Sequence, residues 1–322
     1  MKNKVLVLGK IHNAGLELLK NNNQFDLILE TDRPKNILEI CKNVNAIIVR
    51  MTPINKELID IAKDLKLVSR HGVGYNTVDV KELSLKNIPL AITEDVNSIA
   101  VSEHAFAMMI SFSKSIIYHD KEVRRENFKV RDEYKSYELK DKTILVIGFG
   151  RIGKKFSNLC KNFGMKVLVA DKFINKSDFK SEYEFSNNFE DFISDADFIS
   201  LHSPHDPKDP PMFSNKQFNK MKNTSIIINT SRGDLINEND LIKALKEKKI
   251  AGACLDVFNP EPPSINTNEL LNLDNVILSP HSAAYTKEAV KKMSLSCCQN
   301  VIDYFNGNIK KELIVNLKEI QI

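Results

Sequence analysis

Three residues in the second half of the chain, Arg232, Glu261 and His281, have side chains that together suit acid–base chemistry on a carboxylic acid. Arginine presents a planar fork of N–H donors that matches a carboxylate and keeps its positive charge. Histidine exchanges protons near neutral pH, and a neighbouring carboxylate raises its pKa and orients its ring. Reduction of a 2-oxo acid needs such a fixed cation and such a proton donor, besides a source of hydride.

Each of these residues also has an ordinary interpretation when it is taken alone. Arg232 could pair with Asp234 or Glu238 at the surface. Glu261, which stands between two prolines, could be a solvated loop acid, and His281 could cap the helix that follows. The catalytic interpretation is favoured because each of the three follows a predicted strand, at 225–229, 252–255 and 276–278. The carboxyl ends of parallel strands form the edge where ligands bind in open α/β sheets.

A glycine-rich turn in the middle of the chain indicates the source of hydride. An apolar run at 143–147 predicts a buried parallel strand. Apolar residues at helical spacing follow at 151–163, and a second apolar run at 166–170 ends on Asp171. Together these elements make the dinucleotide-binding fingerprint, in which backbone N–H groups at the helix start face a pyrophosphate. The residues of the turn are Gly148, Phe149, Gly150, Arg151, Ile152 and Gly153.

Asp171 indicates which dinucleotide binds. A carboxylate at the end of the second strand accepts hydrogen bonds from the ribose hydroxyls and repels the 2′-phosphate of NADP. The cofactor is therefore predicted to be NAD. The neighbouring Lys172 could soften that repulsion, so the strictness of the choice stays open.

With these motifs the chain resembles the D-isomer-specific 2-hydroxyacid dehydrogenases over nearly its whole length. The likeness rests on the glycine turn and on the segments 229–233, 255–262 and 279–283. It implies that Arg232 binds and polarises the substrate, that His281 is the acid/base and that Glu261 tunes His281. It also implies a set of cofactor contacts, namely Asp256 at the nicotinamide carboxamide, the Thr230 backbone beside the ring, and Ser98, Val101 and His202.

The same resemblance places substrate contacts in the first hundred residues. Val73 and Gly74, in a glycine loop at 72–76, would direct backbone N–H groups at the substrate carboxylate, and a plain glycine turn is the alternative. Arg50 and Arg70 each follow a predicted strand and resemble two arginines that 3-phosphoglycerate dehydrogenases place near the substrate phosphate. Residues like Arg50 also occur in glyoxylate and hydroxypyruvate reductases, and Arg70 could make only a structural ion pair. Phosphorylation of the substrate therefore stays open.

The alternation of apolar runs and helical segments predicts an α/β protein with two doubly wound, Rossmann-like parallel-sheet domains and a cleft between them. The substrate (catalytic) domain is predicted to be discontinuous, at 1–99 and 290–322, because a long helix and an extended tail return to it. The NAD-binding domain is predicted at 100–289. A long amphipathic segment from 98 to about 126 should, by resemblance, form the main contact of a homodimer.

Composition limits the classes of function. The chain has 322 residues, of which 42% are hydrophobic and 27% charged, and its net charge of +4 is spread in mixed-sign sequence, as in a soluble globular protein. No basic tract interleaved with aromatics argues for nucleic-acid binding. Five cysteines without CxxC spacing predict neither disulfides nor a metal site. Without a signal-peptide region or a transmembrane run, the predicted location is cytoplasmic and away from membranes.

The expected function is NAD-dependent transfer of hydride between the nicotinamide and C2 of a short D-2-hydroxy or 2-oxo acid, of 3-phosphoglycerate, glycerate/hydroxypyruvate or glyoxylate type. The chain stops near Ile322, without the C-terminal regulatory domain common in serine-pathway enzymes, which favours a short C3 acid. The alternative is a dinucleotide-sensing binding protein, like the corepressors built on the same scaffold, which can keep the same three residues.

Overall fold

The computed structural model describes residues 2–175, 177, 179, 182–206 and 208–321. The chain forms two compact units, Met1–Asn97 with Tyr285–Ile322 and Ser98–Ala284. Their limits lie at 97 and 285, where the sequence predicted 99 and 290. The assignment of the first unit to the substrate and of the second to the cofactor stays a prediction.

The first unit contains a five-stranded parallel sheet. Its strands are β1 (Asn3–Leu8), β2 (Phe25–Glu30), β3 (Ala46–Val49), β4 (Leu67–Arg70) and β5 (Leu90–Ala91). They are connected by α1 (Asn13–Lys20), α2 (Ile37–Cys41), α3 (Lys56–Ile61) and α4 (Val80–Leu85). The strand order β2-β1-β3-β4-β5 is that of a doubly wound fold, in which the chain proceeds from the centre to both edges.

The inner strands of this sheet contain apolar runs because both faces are covered, whereas the edge strand β2 is only partly buried and carries Asp26 and Glu30. On β1, Leu6 and Leu8 belong to one apolar cluster, whereas Val5 and Val7 belong to another. Successive side chains of a strand point to opposite faces, so a strand that is buried on both faces needs apolar residues at every position.

The second unit contains a seven-stranded parallel sheet. It begins with two helices, α5 (Ser98–Ser113) and α6 (Ile116–Arg124). Its strands are β6 (Thr143–Ile147), β7 (Lys166–Ala170), β8 (Glu184–Ser186), β9 (Phe198–Leu201), β10 (Ile226–Asn229), β11 (Gly252–Leu255) and β12 (Val276–Leu278). Helices α7 (Arg151–Asn162), α8 (Asn215–Phe218) and α9 (Glu238–Lys246) connect strands. The order β12-β11-β10-β9-β6-β7-β8 is the Rossmann order extended by one strand.

The chain then returns to the first unit. Helix α10 (Lys287–Phe305) begins at Thr286, whose hydroxyl oxygen accepts a hydrogen bond from the N–H of Ala289 at 3.1 Å. The helix packs on α1, and its buried Cys297 and Cys298 join the apolar cluster on one face of the sheet. Both thiols therefore serve packing.

The register of the second sheet determines which loops lie side by side. Asn229 pairs with Leu255, and Leu255 pairs with Leu278, so β10, β11 and β12 end at the same level. On the other side, Ile147 pairs with both Ala170 and Leu201. The segments that follow these strands therefore leave from one edge of the sheet, which is where the predicted site residues of the second unit lie.

Candidate active site

The turn after β12 carries His281 in a left-handed backbone conformation, with φ of 51°, which is uncommon outside glycine. The N–H of His281 donates to the carbonyl oxygen of Asp256, directly after β11, at 2.8 Å. The Asp256 carboxylate is completely buried and accepts the N–H groups of Ser282 at 2.8 Å and Ala283 at 2.9 Å. Hydrogen bonds to a charged acceptor are about twice as strong as neutral ones, so Asp256 fastens the turn to the sheet.

The side chains of His281 and Glu261 are in direct contact. Nδ1 of His281 lies 2.8 Å from Oε2 of Glu261, and Oε1 of Glu261 accepts the N–H of Phe258 at 3.0 Å. Burial works to raise the pKa of Glu261, but the hydrogen bonds from His281 and Phe258 and the charges of His281 and Arg232 outweigh it and lower the pKa. Glu261 is therefore an ionised acceptor at neutral pH, and Nε2 of His281 is the ring nitrogen left for proton exchange.

Arg232 lies in the loop after β10, and this loop packs closely on the segment that leads to Glu261. The side-chain amide of Asn229 donates to the carbonyl oxygen of Arg232 at 2.7 Å. The next residue is Gly233, where an added Cβ would collide with the carbonyl group of Phe258. The close approach of the two loops holds Arg232 and Glu261 in one region of the sheet edge.

In the surface interpretation, Arg232 would pair with Asp234 or Glu238. Both acids bind Asn259, because its side-chain amide donates to Asp234 and its backbone N–H donates to Oε1 of Glu238 at 2.6 Å. Burial lowers the pKa of Arg232, whereas the charges of Glu261 and Asp234 raise it. The guanidinium keeps its charge, because arginine is not deprotonated in proteins.

The glycine turn at the start of α7 leaves room for a ligand at one position. Gly148 has φ of 94°, and a Cβ there would lie 2.7 Å from the carbonyl oxygen of His202. A Cβ at Gly153 would collide with the carbonyl oxygen of Gly148, but a Cβ at Gly150 would meet nothing within 4 Å. This open space at a helix N-terminus suits a pyrophosphate, whose charge the free N–H groups and the helix dipole stabilise.

Asp171 stands at the end of β7 with its carboxylate already oriented. Oδ2 accepts the N–H of Phe149 and Oδ1 accepts the N–H of Phe173, both at 2.8 Å. A carboxylate has about four acceptor sites, so capacity remains for two ribose hydroxyls. Nζ of Lys172 lies 4.9 Å from the Phe173 ring centre. The residues present thus fit the adenosine end of NAD.

The side chain of His202 has partners inside the second unit. Its ring packs 4.9 Å from that of Phe156, and its Nε2 lies 2.9 Å from Oγ of Ser200. Burial lowers the pKa of His202 to about 3, so the imidazole is neutral. The side chain is half-buried, the backbone of His202 lies beside Gly148, and the contact of His202 with the cofactor stays a prediction.

The other predicted cofactor residues occupy the same edge or the helix that opens the second unit. Arg151 is exposed, Ile152 is half-buried and Phe149 is buried at the start of α7. Ser98 and Val101 are buried in the first turn of α5, and the buried Thr230 hydroxyl has no hydrogen-bond partner among the residues that the structure describes. Their contacts with a cofactor, like that of Asp256, stay predictions.

In the first unit, the predicted substrate residues lie at the ends of β3 and β4. Nη1 of Arg70 donates to the carbonyl oxygens of Val49 at 3.2 Å and His71 at 2.8 Å, so Arg70 has a structural role of its own. Nε of Arg50 donates to the hydroxyl of Tyr285 at 3.2 Å. Val73 and Gly74 are half-buried in the loop after β4, and the substrate contacts of all four residues stay predictions.

Sequence reasoning missed two residues beside Asp256, namely Ser279 and His104, whose Nε2 lies 3.6 Å from Oδ1 of Asp256. Oγ of Ser279 donates to Oδ1 of Asp256 at 2.5 Å, and Nε2 of His104 lies 2.9 Å from Oγ of Ser279. His104 is 175 residues away from Ser279 in the chain, so no local pattern indicates the contact.

Two further searches concern metals and membranes. Among the described residues, no group of three or more His, Cys, Asp or Glu side chains is placed to hold a metal ion. In the same part of the chain, no helix combines the length and the apolar character that spanning a membrane requires.

Comparisons with known proteins show the family to which the chain is similar. The family model of the D-isomer specific 2-hydroxyacid dehydrogenase NAD binding domain matches residues 106–283. A glyoxylate reductase of Korarchaeum cryptofilum is 33% identical over 321 residues, which cover 98% of this chain and 96% of that protein. A D-3-phosphoglycerate dehydrogenase of Methanocaldococcus jannaschii is 34% identical over 319 residues, which cover 98% of this chain and 60% of that protein.

A solved structure shows the same fold. The NAD-dependent formate dehydrogenase from Staphylococcus aureus in complex with NAD superposes with a TM-score of 0.87 at 23% identity, covering 97% of this chain and 98% of its own.

The chain belongs to the D-isomer specific 2-hydroxyacid dehydrogenase family. It is accordingly an NAD-binding oxidoreductase that interconverts 2-hydroxy and 2-oxo acids. The α/β fold with two parallel Rossmann-like sheets, predicted from the sequence, is confirmed, and so is the prediction of NAD as the cofactor. The comparisons give no support to the corepressor alternative.

Proposed function

We propose that Arg232 binds the substrate carboxylate and polarises the C2 carbonyl, that His281 is the general acid/base and that Glu261 orients His281. The observation that carries this proposal is the 2.8 Å contact between Nδ1 of His281 and Oε2 of Glu261. Because a carboxylate engages Nδ1, the ring exchanges its catalytic proton through Nε2.

In the reductive direction, Arg232 draws electron density toward the C2 oxygen, where negative charge develops. The chemistry that NADH supplies when bound is donation of a hydride to C2. His281 gives the proton on Nε2 to the C2 oxygen as its double bond to carbon becomes single, and the imidazole is left neutral. Glu261 stabilises the imidazolium before this transfer. In the oxidative direction, the neutral Nε2 of His281 takes the hydroxyl proton.

Replacement of His281 by alanine tests the acid/base assignment. The His281→Ala variant should lose turnover, because no other group then gives a proton to the C2 oxygen at that place. Its affinity for NADH, measured by fluorescence titration, should stay close to that of the wild-type protein. Near-normal turnover of this variant would refute the mechanism.

We propose that the substrate is a short 2-oxo acid such as glyoxylate, hydroxypyruvate or 3-phosphohydroxypyruvate. The names of the related proteins, glyoxylate reductase and D-3-phosphoglycerate dehydrogenase, support this class. The phosphorylated acid would need fixed cations, for which Arg50 and Arg70 are the candidates.

The ratio of kcat/KM for 3-phosphohydroxypyruvate and hydroxypyruvate decides between the two acids. A hundredfold preference for the phosphorylated acid corresponds to about 2.7 kcal/mol of discrimination, and Arg50→Gln should then reduce it. The opposite preference would make both arginines structural or carboxylate-directed. Arg70→Gln should in either case lower stability, because its guanidinium binds two carbonyl oxygens at strand ends.

We further propose a cytoplasmic homodimer that forms through the segment beginning at α5. Helix α6 has no buried residue, and Ile116, Ile117 and Val123 are exposed, as is Phe128 just beyond it. Several exposed apolar side chains close together in the chain are typical of an interface between subunits. Light scattering should give the mass of a dimer, and Phe128→Glu should shift it toward the monomer. The five cysteines are free and buried, which suits a reducing compartment.

A further inference from the structure

A chain of polar contacts begins on α5 and ends at the turn that carries His281. Nε2 of His104 lies 2.9 Å from Oγ of Ser279, and Oγ of Ser279 lies 2.5 Å from Oδ1 of Asp256. The single proton of the Ser279 hydroxyl is donated to Oδ1 of Asp256. The Ser279 oxygen then accepts the remaining hydrogen bond, and His104 must carry its proton on Nε2.

The last residue in this series of hydrogen bonds, Asp256, fastens the turn that carries His281. Asp256 is completely buried, and the Oδ1 atom that Ser279 binds also accepts the N–H of Ser282 at 2.8 Å. The carbonyl oxygen of Asp256 accepts the N–H of His281 itself at 2.8 Å. Consecutive hydrogen bonds polarise one another at low dielectric, so the donation from His104 reinforces the bonds that hold the turn.

The first residue in this series of hydrogen bonds, His104, lies on the face of α5 that touches the ends of the strands. Residues at intervals of three and four lie on one face of a helix, and Ser98, Val101, His104 and Met108 have this spacing. Sδ of Met108 lies 3.8 Å from Oγ of Ser279. The side chain of His104 is 27% exposed. His104 therefore ties the helix with the predicted cofactor residues Ser98 and Val101 to the turn with His281.

We propose that His104 is a positioning residue of the reaction: through Ser279 and Asp256, its Nε2–H fixes the His281 turn relative to helix α5. This inference rests on the proposed function of His281. His104 itself need not touch the substrate, because its effect reaches His281 through the backbone of the turn.

Two substitutions of His104 separate hydrogen bonding from packing. His104→Leu removes the donor, and His104→Gln places an amide N–H near the position of Nε2. We expect His104→Leu to lower kcat by about tenfold to a hundredfold, because a misplacement of about 1 Å costs up to about a hundredfold in rate. The Kd for NADH should change much less. His104→Gln should restore most of kcat.

Two further readouts test the path through Ser279. Ser279→Ala should lower kcat to a similar extent. The kcat of the double variant His104→Leu/Ser279→Ala should be no lower than that of the less active single variant, because both substitutions break the same series of hydrogen bonds. The pH profile of kcat/KM should move in the single variants, since a looser turn weakens the contact of His281 with Glu261. His12→Asn, in the first unit, is the control and should leave kcat and the profile unchanged, because asparagine can cap helix α1 as His12 does.

Several results would overturn the inference. Wild-type kcat and pH profile in His104→Leu would show that the bond has no role in the reaction. Equal loss of kcat in the Leu and Gln variants, with an unmoved pH profile and a lowered unfolding midpoint, would show a packing role only. Retained turnover in His281→Ala would refute the proposed function itself, whereas an inactive His281→Ala beside an unaffected His104→Leu would refute this inference alone.

Discussion

Replacement of Glu261 by glutamine should displace the pH profile of the reductive reaction. Glutamine keeps the size of the side chain and can still accept the N–H of Phe258 through Oε1, as Glu261 does at 3.0 Å. Its amide group would then face Nδ1 of His281 as a neutral donor. The imidazolium, which must be present to give the proton, loses its charged acceptor.

The size of the effect follows from the contact of 2.8 Å between the two side chains. For charges about 4 Å apart, the Coulomb energy is about 1 kcal/mol in water and about 4 kcal/mol at an effective dielectric constant of 20. The side chains of His281 and Glu261 are 46% and 31% exposed, so solvent screening reduces the interaction to about 1 kcal/mol or less. The alkaline limb of kcat/KM should therefore move to lower pH by up to about 0.7 unit.

The assay is the initial rate of NADH oxidation with a short 2-oxo acid across the pH range in which the protein stays folded. Glu238→Gln is the matched control, because Glu238 is an acid of the same region that binds Asn259 and Asn268 instead of His281. The control should leave the alkaline limb in place. An alkaline limb that Glu261→Gln does not displace would refute the role assigned to the charge of Glu261.

Four other predictions concern the cofactor and stability. Gly150→Ala should leave the unfolding midpoint unchanged, since its Cβ meets open space, but should weaken NADH binding at least about tenfold in a fluorescence titration, because the Cβ approaches the pyrophosphate. Gly153→Ala should instead lower the free energy of unfolding by about 1–3 kcal/mol, because its Cβ collides with backbone. Asp171→Ser should lower the ratio of kcat/KM for NADH over NADPH by about tenfold to a hundredfold, because it removes the repulsion of the 2′-phosphate; an unchanged ratio would contradict the role of Asp171. Burial lowers the pKa of His202 from 6.5 to about 3, so the unfolded state binds a proton that the folded state excludes, and stability is lost as pH falls below about 6.5. From about pH 7 to about pH 5 this loss is about 2 kcal/mol. In urea unfolding, the stability of His202→Gln should therefore depend less on pH than that of the wild-type protein.

Local patterns in the sequence carried the prediction of the fold and of the dinucleotide site. Most inner strands of the two sheets are buried on both faces, so they appear as apolar runs, and the glycine turn lies between such a run and an amphipathic helix. Every element that positions Gly150 and Asp171 lies within one short stretch of chain. The pattern could therefore be read without knowledge of distant contacts.

The residues proposed for catalysis depend on longer distances, yet topology made them predictable. Arg232, Glu261 and His281 each follow a strand of one parallel sheet, and parallel strands present their carboxyl ends at the same edge. The direct contact of His281 with Glu261 required the register of β11 and β12, which the sequence does not reveal.

What the sequence determined by itself was the kind of chemistry: a cation, an acid–base pair and a glycine turn, because the residue types and their places after strands are local properties. Only the tertiary structure decided how these groups are held. The ring of His202 packs on that of Phe156, Arg70 binds strand-end carbonyls, and His104 reaches Asp256 through Ser279. These contacts depend on the direction of side chains and on residues far apart in the chain, and packing alone determines both.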